Sequence, residues 1–169
     1  RHTTSLPKRV LTSIVMRDSV FHNFPLSSMD VTINYLAVVV AALAAFVIGF
    51  VWHGPLFGKQ WIKEMGWTPE AMAATKAKGM AKQYALMALG SLVMAFVLLH
   101  NITFGSAYLQ MTGVSAGLQA GFWNWLGFIV PVTLSAVLWE GKSWKLWFLN
   151  IGYYLVTLLV MGWILAVWI

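Results

Sequence analysis

The chain has 169 residues, of which 60% are hydrophobic and 9% charged, with a mean hydropathy of +0.75. A soluble domain carries about a quarter charged residues, so an ordinary water-facing globule is excluded and a polytopic membrane protein is indicated. Cysteine is absent, which excludes disulfides, thiolate metal sites, iron–sulfur clusters and thiol catalysis.

The net charge of +6 is unevenly spread. Arg1, Lys8, Arg9 and Arg17 lie in residues 1–28 against the single acid Asp18. From Met29 onward seven Lys face Asp30, Glu64, Glu70 and Glu140, a net of +3. No contiguous basic face results, so nucleic acid is not an expected partner. Residues 1–28 are rich in Ser, Thr and Arg and lack the apolar core of a secretory signal. They read as a disordered or non-native N-terminal extension with Met29 as the start. The other reading is a mitochondrial transit segment, which is also Arg-rich and acid-poor.

Residues 29–169 form the expected transmembrane domain, an all-α bundle of four spans. The first covers 33–53, and ~20 residues at 1.5 Å rise match the hydrocarbon thickness. Leu36, Val39, Leu43, Phe46 and Phe50 are among residues that each favour insertion by roughly 0.3–0.6 kcal/mol. Ala37, Ala41, Ala45 and Gly49 recur every four residues, a smooth stripe on which another helix can close. His53-Gly54-Pro55 is expected to stop the helix, because Pro lacks a donor and disfavours helix before it.

In the connection that follows, Phe57, Trp61 and Met65 are four apart, which predicts a helix lying on the membrane surface. Thr68-Pro69-Glu70 reads as N-cap, first helical position and first-turn acid. Its helix is expected to continue through Lys76, Lys78 and Lys82 into the second span, 83–104. From Gln83 to Trp139 there is no Lys, Arg, Asp or Glu, room for two spans and a short turn. The third span covers 115–139, with Gly113, Gly117 and Gly121 at i+4 spacing and Pro131 as an expected kink that frees a carbonyl near Gly127. The fourth covers 145–168, with Trp144, Trp147, Trp163 and Trp168 marking its two ends.

Lys59, Lys63, Lys76, Lys78 and Lys82 in the first connection, and Lys142 and Lys145 in the third, make those connections cytoplasmic by the positive-inside rule. The second connection carries no Lys or Arg. The basic stretch before Met29 would then lie on the opposite side, against the rule. A multi-pass protein of a bacterial inner (plasma) membrane is expected. Leu56-Phe57-Gly58-Lys59-Gln60-Trp61 is echoed by Leu138-Trp139-Glu140-Gly141-Lys142-Ser143-Trp144. Such an echo suits either a duplicated hairpin or an interfacial turn that arose twice, and the turn is favoured.

Chemistry-bearing residues are few. His53 and His100 belong to opposite ends of spans, so they cannot share one haem or metal ion, and no His-x-x-x-His or Glu-x-x-His pair offers a bundle metal site. No Ser–His–acid set shares one depth. Catalytic residues, cofactor and metal are therefore all expected to be none. His53, Lys59 and Glu140 are expected to form a polar cluster at the lysine-bearing end. Asn124 is the deepest amide of the third span and is expected to bridge helices.

Asn34-Tyr35-Leu36-Ala37, Gly54-Pro55-Leu56-Phe57-Gly58-Lys59-x-Trp61, Gly127-Phe128, Pro131, Glu140-Gly141-Lys142-Ser143-Trp144 and Asn150-Ile151-Gly152-Tyr153-Tyr154 together resemble the domain of unknown function 1761 family. The likeness covers Met29 to Ile169 and implies four membrane helices; it supplies no catalytic residue. His53 stands where that family more often has Tyr. The expected function is a non-enzymatic integral membrane protein that self-associates or serves as an accessory subunit, with the bilayer and a second copy or membrane subunit as partners. The alternatives are a small permease or channel for a neutral or weakly polar solute, lined by Asn124, Pro131 and Glu140, and a membrane enzyme acting on a lipid or quinone.

Overall fold

A computed structural model describes residues 33–168. The expected extension 1–28 and the start at Met29 lie outside the described residues. Helix α1, Tyr35–Val51, opens where the Asn34 side chain accepts the Ala37 N–H at 3.2 Å. It does not stop at His53-Gly54-Pro55: a π-helical turn, Trp52–Leu56, carries it on with Pro55 inside. The wider turn resolves the proline problem, because Phe57 N–H reaches five residues back to Trp52 O at 2.9 Å and leaves room for the ring. The surface helix α2, Gly58–Met65, starts at once. A Cβ on Gly58 would lie 2.6 Å from His53 O, so only glycine permits this change of direction.

Helix α3, Pro69–Ala77, is capped by Thr68, whose oxygen accepts the Ala71 N–H at 3.2 Å. The Glu70 carboxyl is held below its usual range by its own backbone N–H and then by the Thr68 hydroxyl. This helix does not run into the second span as expected. It ends at Lys78, and Gly79 at φ +77° separates it from α4, Ala81–Leu109. Lys76 and Lys78 therefore belong to the surface segment and Lys82 to the span.

The second connection is only three residues, because α4 runs to Leu109 and α5, Gly113–Asn124, begins at once. Gln110 and Gly113 turn the chain at φ 53° and +66°. The third span is the least regular. Its α5 leads into a π-helical turn, Trp125–Ile129, then α6, Val130–Thr133, and α7, Ser135–Leu138. The break falls just ahead of Pro131, the expected kink. The last span is one helix, α8, Trp144–Val167, capped by Ser143.

Among the described residues, four helices are long and apolar enough to cross a membrane: Tyr35–Leu56, Ala81–Ser106, Gly113–Leu138 and Trp144–Val167. They alternate in direction, α8 packing on α1, α4 and α5, with α1 beside α4 and α4 beside α5. The connections bearing Lys59, Lys63, Lys76, Lys78 and Lys142, with Lys82 and Lys145 in the adjoining first turns of α4 and α8, lie at one end and the short turn at the other. Asn34 Nδ2 donates to Trp168 O at 3.5 Å at that second end.

The core is built mainly in the lysine-free half. Ala37, Ala41 and Ala45 of α1 are fully buried there with Leu98 and Leu99 of α4 and Met161 and Leu165 of α8. The Ala37/Ala41/Ala45/Gly49 stripe is thus occupied within the chain: α1 packs on α4 and α8 through it, and Gly49 receives the Tyr153 ring. As a surface for a second copy it is already filled. Toward the lysine-bearing end α4 is exposed from Ala81 through Gly90, with the Tyr84 ring edge-on to Phe46 of α1 at 6.1 Å.

The closest backbone contact is elsewhere. A Cβ on Gly117 would lie 2.0 Å from Gly162 O, one on Gly162 would lie 2.2 Å from Gly117 O, and one on Gly121 would meet Leu158 O at 2.5 Å. Helices α5 and α8 therefore touch main chain to main chain. Replacing Gly162 with Leu is expected to lower thermal stability in detergent by about 1–3 kcal/mol, as overpacking does, and Ala41→Leu to act in the same direction. Gly90→Ala, with nothing within 4 Å, should leave the melting temperature unchanged or slightly higher. Equal melting curves for Gly162→Leu and the parent would refute the contact.

Candidate functional site

Polar and aromatic side chains gather in three places. The first is an aromatic collar where α1 passes into its π turn. The His53 ring lies edge-on to Tyr153 at 4.9 Å and to Trp61 at 5.4 Å, and Trp52 stacks obliquely on Phe57 at 4.6 Å. His53 Nδ1–H donates to Gly49 O at 3.2 Å, so this nitrogen is occupied as a donor. Among the described residues, Trp52 Nε1 and the fully buried Thr157 Oγ1 have no hydrogen-bond partner.

The second place is a cleft of about 400 Å³ at the lysine-bearing end, between the broken end of the third span and the first turns of α8. Glu140, Lys142, Thr133, Trp147 and Asn150 line it, with Met65 of α2 at its edge. Trp147 Nε1–H donates to Thr133 Oγ1 at 3.1 Å, and the Thr133 hydroxyl donates to Ile129 O at 2.6 Å. A side-chain chain thus joins the cleft wall to the π turn. From the other side, Trp125 Nε1–H donates to Ile151 O at 2.8 Å and pins that turn to α8.

The third place is a cleft of about 170 Å³ near the opposite end, between α4 and α5. Asn101 Nδ2 donates to Asn124 Oδ1 at 3.0 Å, and Asn124 Nδ2 donates to Ala120 O at 2.8 Å. Asn124 does join two helices through an exposed amide pair, and interhelical side-chain bonds in lipid contribute about 1 kcal/mol. Gln119 and Ser106 complete the polar lining.

The three residues of the expected polar cluster are not brought together, and Asn124 lies apart from them. His53 belongs to the collar, Glu140 to the lysine-end cleft and Asn124 to the opposite cleft, while Lys59 is exposed on α2. The physical reason is the π turn, which swings the chain into α2 before Lys59, so Lys59 rides on a surface helix. His100 donates through Nδ1 to Phe96 O at 2.8 Å, far along α4 from the collar.

Glu64 is the residue the sequence reading passed over. Its carboxylate accepts from Gln60 Nε2 at 2.7 Å and from the Ser143 hydroxyl, while Ser143 Oγ accepts the Leu146 N–H at 3.1 Å. One serine thus caps α8 and latches α2 to it. Gln60 and Glu64 are four apart on a helix, the one available signal; that Ser143 would meet them was not in the spacing. Gly58 and Gly141 also prove unlike, one forced by a close carbonyl and the other free at φ +68°, so the echoed turns are built differently.

Four apolar helices in alternating direction, with an aromatic collar and a cleft toward each end, define a small four-span bundle of membrane-protein type. The chain belongs to the DUF1761 family, proteins of unknown function, whose family model matches residues 36–166. No curated protein and no solved structure matches the chain.

Loss of the latch is measurable. Ser143→Ala is expected to cost about 1 kcal/mol as a lost cap and to raise hydrogen exchange across residues 58–65, which Glu64 then no longer ties down. Unchanged exchange in that segment would show that α2 is held by apolar contact alone.

Proposed function

We propose that the protein is a non-enzymatic integral membrane protein of the bacterial plasma membrane that works by association, its third span meeting a second copy or another membrane subunit. One observation carries this reading. The third span is the least apolar of the four, yet only 6% of its window is buried, against 39% for the fourth. In a lipid-facing bundle the order should be reversed, because amide and hydroxyl groups cost free energy in hydrocarbon and are placed between helices. Gln119 and Trp123 lie on this span and are exposed; a neighbouring helix would cover such a face.

The absence of cysteine makes the test direct. Single cysteines at Leu118 or Phe122, oxidised in native membranes, should give a crosslinked dimer, whereas one at exposed Leu43 of α1 should not. Native mass spectrometry in mild detergent should show dimers or a co-purifying membrane subunit. Monomers throughout, with no crosslink from the third span, would overturn the reading.

A specific observation favours the permease reading as the second. Both clefts are lined by the third span, and the π turn lies between them with Trp125 and Ile129 packed against the core. Discontinuous helices at mid-membrane are used this way by transporters. In sealed vesicles, Ala136→Cys should react with an impermeant thiol reagent from one face, Gln119→Cys from the other, and Ile129→Cys from neither. Failure of both cleft positions to react would remove this second reading.

A further inference from the structure

The lysine-end cleft has a composition that identifies a ligand class. Most of its polar lining is already spent: Thr133 and Trp147 bond to each other, and the Ser135 hydroxyl donates to Val132 O at 2.9 Å. Among the described residues this leaves the Asn150 amide, the Glu140 carboxylate and the Lys142 ammonium without side-chain hydrogen bonds. The two charges are opposite, two residues apart in one connection, and both exposed. A site of one anion and one cation complements a zwitterion and discriminates against simple ions of either sign.

The remaining wall is apolar and open sideways. Val132 lines the cleft and is 68% exposed; Phe128, one turn deeper along the span, is 67% exposed. Trp139 and Trp144 bracket the connection, 85% and 54% exposed, as aromatic rings do at headgroup depth. A water-soluble solute would gain nothing from an exposed apolar shelf running along the outer face of the span. A lipid would.

We propose that this cleft binds the headgroup of a glycerophospholipid carrying a primary ammonium. Its phosphodiester pairs with Lys142 and its ammonium donates to Glu140. Asn150 takes a phosphate or glycerol oxygen, and an acyl chain lies along Val132 and Phe128. A primary ammonium is preferred to a quaternary one because a carboxylate accepts its N–H hydrogens, which a trimethylammonium lacks. This assignment stands apart from the association reading, since it uses the end of the third span and α8 rather than the exposed face of α5.

The test is lipid retention by the intact protein. Delipidated protein is reconstituted into nanodiscs of equal phosphatidylethanolamine, phosphatidylcholine and phosphatidylglycerol, and retained lipid is read by native mass spectrometry. Phosphatidylethanolamine should be enriched about tenfold, the scale of one charge-assisted hydrogen bond. Glu140→Gln should abolish its advantage over phosphatidylcholine, and Lys142→Ala should reduce retention of all three. Both side chains are exposed, so unchanged melting curves should certify that the variants fold. Equal retention of the three lipids, or a preference that survives both substitutions, would overturn the proposal. Competition by free phosphoethanolamine as effective as by the intact lipid would also overturn it, because the apolar shelf would then contribute nothing. Crosslinking at Leu118 or Phe122 is independent of these outcomes, so the two readings fail separately.

Discussion

Apolar helices gain little from meeting one another in hydrocarbon, because lipid tails are as apolar as leucine. What remains is close van der Waals contact, and that requires surfaces without protruding side chains. The contact of Gly117 with Gly162, and of Gly121 with the Leu158 carbonyl, provides it between α5 and α8. The α1 alanines provide a second, looser version against α4 and α8. Helix α8 touches all three other spans, and the rest of the bundle is arranged around it. Larger residues at the glycine positions would separate the pair by ångströms and loosen the frame that holds both clefts.

Much of this was legible in the sequence, and the reasons differ by element. Four spans follow from long apolar runs, which have no other physical solution in a chain so poor in charge. The alanine stripe and the third-span glycines were visible as i+4 spacing. Which partner each would meet was not: α8 carries Gly162 and Ala166 four apart and Gly152 earlier, and spacing alone does not say which of them faces Gly117. Likewise the stripe reads equally well as an inner or an outer face until the fold consumes it.

Proline was misjudged in one place. Pro55 removes a donor, and sequence rules treat that as a stop. The chain instead widens to a π turn, for which one further residue per turn suffices, and the change of direction is deferred to Gly58. Lys59 is exposed on α2, while Glu140 lines the lysine-end cleft and His53 the collar, so the polar cluster expected from sequence does not form. Glu64 was missed for the converse reason. Its partner Ser143 is 79 residues away, and no local pattern encodes a meeting between a surface helix and the cap of the last span.

The third span concentrates the consequences of irregularity. A regular helix from Gly113 to Leu138 would present one continuous face with its side chains in one register, but would leave the carbonyl near Gly127 without a donor at Pro131. The π turn at Trp125–Ile129 shifts the register, so residues before and after it face different neighbours. Before it, glycines lock α5 to α8 and Asn124 reaches Asn101; after it, Thr133 and Trp147 bond across to the start of α8. A second break, at Leu134, leaves α6 and α7 one turn each beside the lysine-end cleft that Glu140 and Lys142 line. Polar groups at that level are tolerable because water and headgroups reach them, whereas the identical residues one turn deeper would not be. One widened turn therefore separates a helix-packing half from a headgroup-facing half within a single span.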